Sequence, residues 1–295
     1  MDNLTVKRVI GNIVGMILQL FAAIIGIILI SALPFLFKGM SIDFSQYRLM
    51  VTQTVNRLLN IQELTYQDKF RDWLILSHVF KYYQESMAIF FTAFILSLFL
   101  AVVIVYILIS IKPKWYKGMK YIFALFESIP DLLIILALQI FVIWFFKKTG
   151  YLLFEIATVG DIKSFGLPVL ALSFSSTFLF IKLLLAQIET EQSADYVEFA
   201  KSKGFSMIYI LNRHISRNIF FTVFHYSKTI VLFMLSGLFI VELLFNVNGL
   251  FNFLQRASIP EVFVISLLYL YVPFFVLFKL YDFCIPAALK GEKTI

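Results

Sequence analysis

Six long apolar stretches separated by polar intervals set the pattern of this chain, at about 9–37, 86–111, 121–146, 166–187, 219–245 and 262–285. A helix rises 1.5 Å per residue, so about 20 apolar residues cross a hydrocarbon core of ~30 Å. Each stretch meets that length. A lipid-exposed strand would leave backbone polar groups unsatisfied, so the stretches predict helices, and nothing in their lengths or alternation suggests a barrel. The third is expected to start near Tyr121, because the uncharged part after Asp131 is short for crossing alone. The expected architecture is an all-α membrane protein with six transmembrane helices in a single domain, residues 1–295.

Two polar intervals stand out. In residues 38–84, charges mix with aromatics, and Val55, Leu58, Leu59 and Gln62 fall at helical spacing. Short amphipathic helices lying against one membrane face are predicted there. The other interval, 188–218, contains DYVEFAKSKGFSMIYILNRHISRN from Asp195 to Asn218. Asp195, Glu198, Lys201 and Lys203 are acidic first and basic last, the order that suits a helix dipole, and Gly204 can form a left-handed cap. Tyr196, Val197, Phe199 and Ala200 give this short helix a side to bury, and Arg213, His214 and Arg217 follow as a basic elbow.

Composition agrees with a polytopic membrane chain: 295 residues, 61% hydrophobic, 18% aromatic and only 15% charged. The net charge of +7 sits in short clusters beside apolar runs, which does not indicate nucleic-acid binding. Cys284 is the only cysteine, so no intrachain disulfide can form. An uncharged run from Lys7-Arg8 to Phe37 is too long for a signal-peptide core and reads as an uncleaved span. With six spans, both termini share a side with the 112–120 and 188–218 loops, where Lys and Arg are concentrated. The 38–84 loop adds six basic residues opposite but does not reverse the bias, so the termini and the 188–218 loop are expected in the cytoplasm.

Several strings together resemble the permeases of ABC importers, in the oligopeptide/dipeptide/nickel family. Glu198-Phe199-Ala200 followed by Gly204 is similar to that family's Glu-Ala-Ala…Gly coupling loop, with Asp195-Tyr196-Val197 and Arg213-His214…Arg217-Asn218 beside it. Ser128-Ile129-Pro130, Leu167-Pro168, Val241-Glu242…Phe245…Gly249-Leu250 and Asp282 extend the resemblance over roughly residues 120–285. Phe199 replaces an alanine, Asn248 replaces a proline before Gly249, and Ala288-Leu289-Lys290 replaces the usual Asp-Pro-Arg. The resemblance implies a type I ABC importer permease fold with a cytoplasmic coupling helix. It further implies a bacterial cytoplasmic-membrane location and transport of peptides or a related solute, nickel chelates included. Implied partners are ABC ATPase subunits, a second permease that is homologous or identical, an extracytoplasmic substrate-binding protein and the lipid bilayer. Asp195, Tyr196, Glu198, Ala200, Gly204, Arg213, His214 and Arg217 would carry ATPase coupling.

No phosphate loop, metal-ligand spacing or nucleophile–base arrangement is found, and His78, His214 and His225 are scattered. The chain is therefore expected to be no enzyme and to hold no cofactor or metal, with ATP-Mg on the partner. Charges inside the spans are costly and normally face a bundle interior or water. Glu127 and Lys182 lie about 10 Å from the cytoplasmic ends, and Asp131 and Lys228 on the order of 15 Å. Depth-matched pairs, Glu127 with Lys182 and Asp131 with Lys228, are predicted to line a vestibule near Pro130. Glu242, Asn246, Asn248 and Gly249 are expected to form an outer gate, with positive φ at the Asn-Gly turn. Two readings from other classes remain open at this point. One is an ion-coupled secondary transporter with a relay through Asp131, Glu127 and Lys228; the other is a non-transporting scaffold that recruits an ATPase.

Overall fold

The computed structural model describes residues 3–39, 41–60, 64–68, 71–111, 118–119, 121–123, 125–126, 128–257 and 259–284. Glu127 and Gln62, and the C-terminal string at 288–290, lie outside these residues. Among the described residues, six helices are long and apolar enough to cross a membrane: Ile13–Ser31, Ile75–Ser110, Asp131–Thr149, Gly166–Gln192, Met207–Leu244 and Pro260–Phe283. The all-α, six-span expectation holds. The chain divides into two compact units, Met1–Glu85 with Gly249–Tyr281 and Ser86–Asn248 with Asp282–Ile295.

In the first unit, helix α1 (Asn3–Ser31) is followed by a 3-10 turn (Leu33–Leu36) and a hairpin of β1 (Phe37–Lys38) with β2 (Ser41–Ile42). Helix α2 (Phe44–Leu59) starts where the Asp43 carboxylate accepts the Gln46 N–H at 2.9 Å, a side-chain N-cap. One 16-residue amphipathic helix thus takes the place of the several short ones predicted, and a second hairpin follows it. That hairpin, β3 (Thr65–Asp68) with β4 (Arg71–Leu74), leads directly into helix α3 (Ile75–Ser110). The second span therefore begins eleven residues before the predicted Ser86. An aromatic cluster accounts for the extension: the His78 ring stacks on Trp73 at 4.9 Å, and Tyr82 stacks on Phe253 at 4.3 Å. These contacts cover the polar first turns, which no apolar-run criterion would assign to a helix. Also in this unit, the Arg57 guanidinium reaches the buried Glu261 carboxylate at 3.3 Å.

The second unit contains the rest of α3, helix α4 (Asp131–Thr149), helix α5 (Gly166–Gln192), helix α6 (Asp195–Ser202), the short α7 (Met207–Ile210), a π turn (Leu211–Ile215) and helix α8 (Ser216–Leu244). Helices α5 and α8 pack along each other around Leu172, Ile181, Leu185, Ile230, Met234 and Leu238, all buried. Gly237 permits that approach, because a Cβ there would lie 3.2 Å from the Leu172 side chain. Two further helices follow among the described residues, α9 (Leu250–Arg256) and α10 (Pro260–Cys284).

The third span departs from expectation. Its helix starts at Asp131, with Pro130 at the N-cap and a turn at Ser128-Ile129, so 121–146 is not one continuous helix. Proline lacks the N–H needed inside a helix and pushes the residue before it out of the helical region. The 19 residues of α4 rise ~28 Å, enough to span once Lys147 and Lys148 extend toward the interface.

Candidate functional site

Helix α6 forms where the sequence predicts it, and its boundaries have identifiable causes. Gly204 has φ +81°, the Phe205 N–H reaches the Ala200 carbonyl at 3.3 Å, and the Gly204 N–H reaches the Lys201 carbonyl at 2.9 Å. This crossed pair is a Schellman cap, which occupies carbonyls that would otherwise lack partners. Asp195 and Glu198 occupy the first turn and Lys201 the last, matching the dipole. Val197 and Ala200 are buried, whereas Asp195, Glu198, Phe199 and Lys201 are exposed, Phe199 to 62%. The Lys203 ammonium covers one face of the Phe199 ring at 4.3 Å. The helix thus presents a charged and aromatic outer side and keeps two small apolar residues against its own chain.

Tyr196 fastens α6 to two membrane-spanning helices. Its hydroxyl donates to the Glu191 carboxylate at the end of α5. The Asn218 amide, in the first turn of α8, donates to the same carboxylate oxygen and to the Tyr196 oxygen, both at 3.2 Å. Burial, and then the neighbouring Glu191 carboxylate, push the Tyr196 phenol up to about 12, so it remains a donor at neutral pH. Beyond α6, Ser206 caps α7 and the π turn carries Arg213 and His214 outward between the buried Leu211 and Ile215. Arg217 is exposed one turn later. A π turn inserts an extra residue and often marks a functional position.

Residues 93–283, a segment containing this loop and most of the spans, match the family described as binding-protein-dependent transport system inner membrane component. The chain belongs to that family. Proteins from Brucella abortus, Brucella suis and Brucella melitensis that are named as permease proteins of a peptide transport system are each 26% identical to it over 155 residues. That match covers 51% of this chain and 49% of each relative, so the chain spans about half the length of the curated relatives it matches.

The remaining candidate residues fall in two regions. Glu242 is fully buried and accepts a hydrogen bond from the Ser86 hydroxyl at 2.5 Å. Beyond it, the Asn246 side-chain amide donates to the Thr158 carbonyl at 3.0 Å and the Thr158 N–H donates to the Phe245 carbonyl at 2.9 Å. Gln139 reaches the Leu244 carbonyl at 3.2 Å. The end of α8 is thereby bound to α4 and to the loop before α5. Positive φ falls at Asn246 (+48°), not at Asn248-Gly249; Gly249 is extended and forms the N-cap of α9. The tight turn came two residues early because Asn246 tolerates the left-handed region and gains a side-chain bond there.

Pro130 and Asp131 border a cavity of about 360 Å³ with Ser128, Ser175, Leu179 and Phe233. The predicted pairing of Asp131 with Lys228 does not form. The Lys228 ammonium bonds both oxygens of the Asp282 carboxylate, at 3.2 and 3.1 Å, and among the described residues Asp131 enters no salt bridge. Glu127 lies outside the described residues, and with it the predicted pair with Lys182. Sequence reasoning missed Glu191 as a site residue and gave Asn218 no role of its own. Both are ordinary loop-end polar residues in the sequence, and only folding brings them to Tyr196.

Proposed function

We propose that this chain is the transmembrane permease subunit of an ABC importer moving peptides or chemically related small solutes, a nickel chelate being the other solute class in the resemblance. The observation that carries the reading is α6, an exposed Glu198-Phe199 surface on a helix clasped through Tyr196 to the ends of α5 and α8. A partner ATPase docks on that surface, with its ATP-Mg held entirely by the partner. The positive-inside bias of the basic loops supports a cytoplasmic side for α6 and the termini, in a bacterial cell membrane. ATP-driven closure of two ATPases draws the α6 helices of two permeases together, the Tyr196 clasp moves α5 and α8 with them, and the pathway opens outward. Hydrolysis resets it. Substrate is delivered by an extracytoplasmic binding protein.

Ala200 is buried and so faces its own chain, which makes Phe199 the position from which to probe docking. The test is Phe199→Cys in a Cys284→Ser background, cross-linked in native membranes. A product containing an ABC ATPase, whose yield changes with ATP, is expected. If no such product forms while the ATPase is present and folded, the coupling reading is refuted and the ion-relay reading through Asp131 takes its place.

A further inference from the structure

Helices α3, α5 and α8, with the π turn before α8, line a groove of about 390 Å³. Its walls are aliphatic and aromatic, including Val102, Leu184 and Val223. Two of its hydroxyls are spent on their own helix: Ser216 donates to the Asn212 carbonyl at 2.9 Å and Ser227 to the Phe224 carbonyl at 2.6 Å. Along the π turn and α8 the groove runs from Asn212 to Ser227, a rise of about 22 Å, against about 15 Å for one leaflet of the hydrocarbon core. One end is polar. There Asn212 and Ser216 line the rim, and the residues next to them, Arg213 and Arg217, are exposed. Glu191 at the end of α5 is held by Tyr196 and Asn218.

We propose that this groove binds one anionic phospholipid, with an acyl chain along Val102, Leu184 and Val223 and the phosphate at Arg213 and Arg217. An apolar trough of leaflet depth that ends at two arginines matches the division between tail and headgroup, and basic sites between membrane helices at headgroup level recognise anionic lipids. The protein alternative is the exposed, apolar α1 of a second copy. That helix has no acidic residue to complement the two arginines. The inference rests on the six-span membrane reading and not on ATPase docking, so the two can fail separately.

The test is native mass spectrometry of the purified full chain, offered palmitoyl-oleoyl phosphatidylglycerol or palmitoyl-oleoyl phosphatidylcholine. One phosphatidylglycerol is expected to remain bound, with a preference of about tenfold to thirtyfold from two basic side chains near an anionic group. Arg213→Gln with Arg217→Gln, both on the surface, should abolish the preference while leaving the tail bound. Val223→Trp, which fills the trough, should remove both lipids. Equal retention of the two lipids, or retention unchanged by Val223→Trp, overturns the proposal. So does efficient cross-linking between two copies through Val102→Cys in a Cys284→Ser background, because a second copy would then occupy the groove.

Discussion

Replacing Tyr196 by phenylalanine removes one oxygen and leaves the ring, so it isolates the clasp from the packing of α6. The lost hydroxyl donates to the Glu191 carboxylate and accepts from the Asn218 amide at 3.2 Å. A hydrogen bond to a charged group contributes about 1.5–3 kcal/mol, and the half-exposed setting places this one near the lower end. Asn218 still reaches Glu191, which offsets part of the loss. We therefore expect the opening of α6 from α5 and α8 to become easier by about 1–1.5 kcal/mol, or roughly fivefold to tenfold. Amide hydrogen exchange across 197–205 in the purified full chain reads this as faster exchange, with α1 and α10 unchanged as internal references. The phenol offers a second readout. Its pKa is raised from the ordinary 10 to about 12, by burial first and Glu191 second. A raised value means that the protonated form is favoured in the fold, so its contribution is complete below pH 10 and is lost as pH rises through about 12. The wild type minus Tyr196→Phe absorbance difference should accordingly titrate near 12. Exchange unchanged within twofold, together with a difference titration at the ordinary tyrosine value, would refute the clasp.

Other positions give sharper local tests. Gly204→Ala puts a Cβ into open space but at φ +81°, so only backbone strain is introduced; destabilisation of α6 by about 1 kcal/mol is expected, read by the same exchange measurement, with Gly204→Asn less severe. Asn246→Ala loses both the tolerance of φ +48° and the bond to Thr158, and should lower thermal stability in detergent by about 1–3 kcal/mol. Asn246→Gly keeps the backbone and should lose less; equal losses would show that the conformation is not what matters. Arg57→Ala strands the buried Glu261 carboxylate and should cost about 1–3 kcal/mol, with Arg57→Ala plus Glu261→Gln recovering much of it.

Much of the architecture was legible because lipid imposes a length, and apolar length is what a sequence displays most directly. Each of the six helices overlaps its predicted stretch, three of them with a start displaced by ten residues or more, and the capping signals of α6 identified its start and end. Failures occurred where polar residues fold into helix, or where helix stops inside an apolar run. His78, Lys81, Gln84 and Glu85 look like loop, yet α3 runs through them. The ring contacts that cover these turns, those of Trp73 and Phe253, come from residues outside the helix and have no local signature. Ser128-Ile129-Pro130 had the opposite problem. Its proline is a stop signal inside an apolar run, and the apolar length on either side hides it.

The misplaced lysine pairing has a more general cause. Counting 1.5 Å per residue from a span's end fixes how deep a residue sits and says nothing of its direction around the helix. Asp131 and Lys228 were matched by depth alone, and that match also assumed a helix continuous from Tyr121. The break at Pro130 removes the assumption, and Asp131 then stands in the first turn of a new helix, where the N-terminal dipole compensates a carboxylate without a lysine. Lys228 is left to pair with Asp282, near the end of α10. In the sequence Asp282 stands out only as part of a family string, and nothing local marks its carboxylate as a partner for Lys228. The two observations give a direct test. Lys228→Asp and Asp282→Lys should each destabilise the protein in detergent by about 1–3 kcal/mol, and combining them should restore most of the loss. A double variant no more stable than the worse single one would mean that the ion pair is incidental and that each charge is held by its own surroundings. Rescue of Lys228→Asp by Asp131→Lys instead would return the pairing to the vestibule.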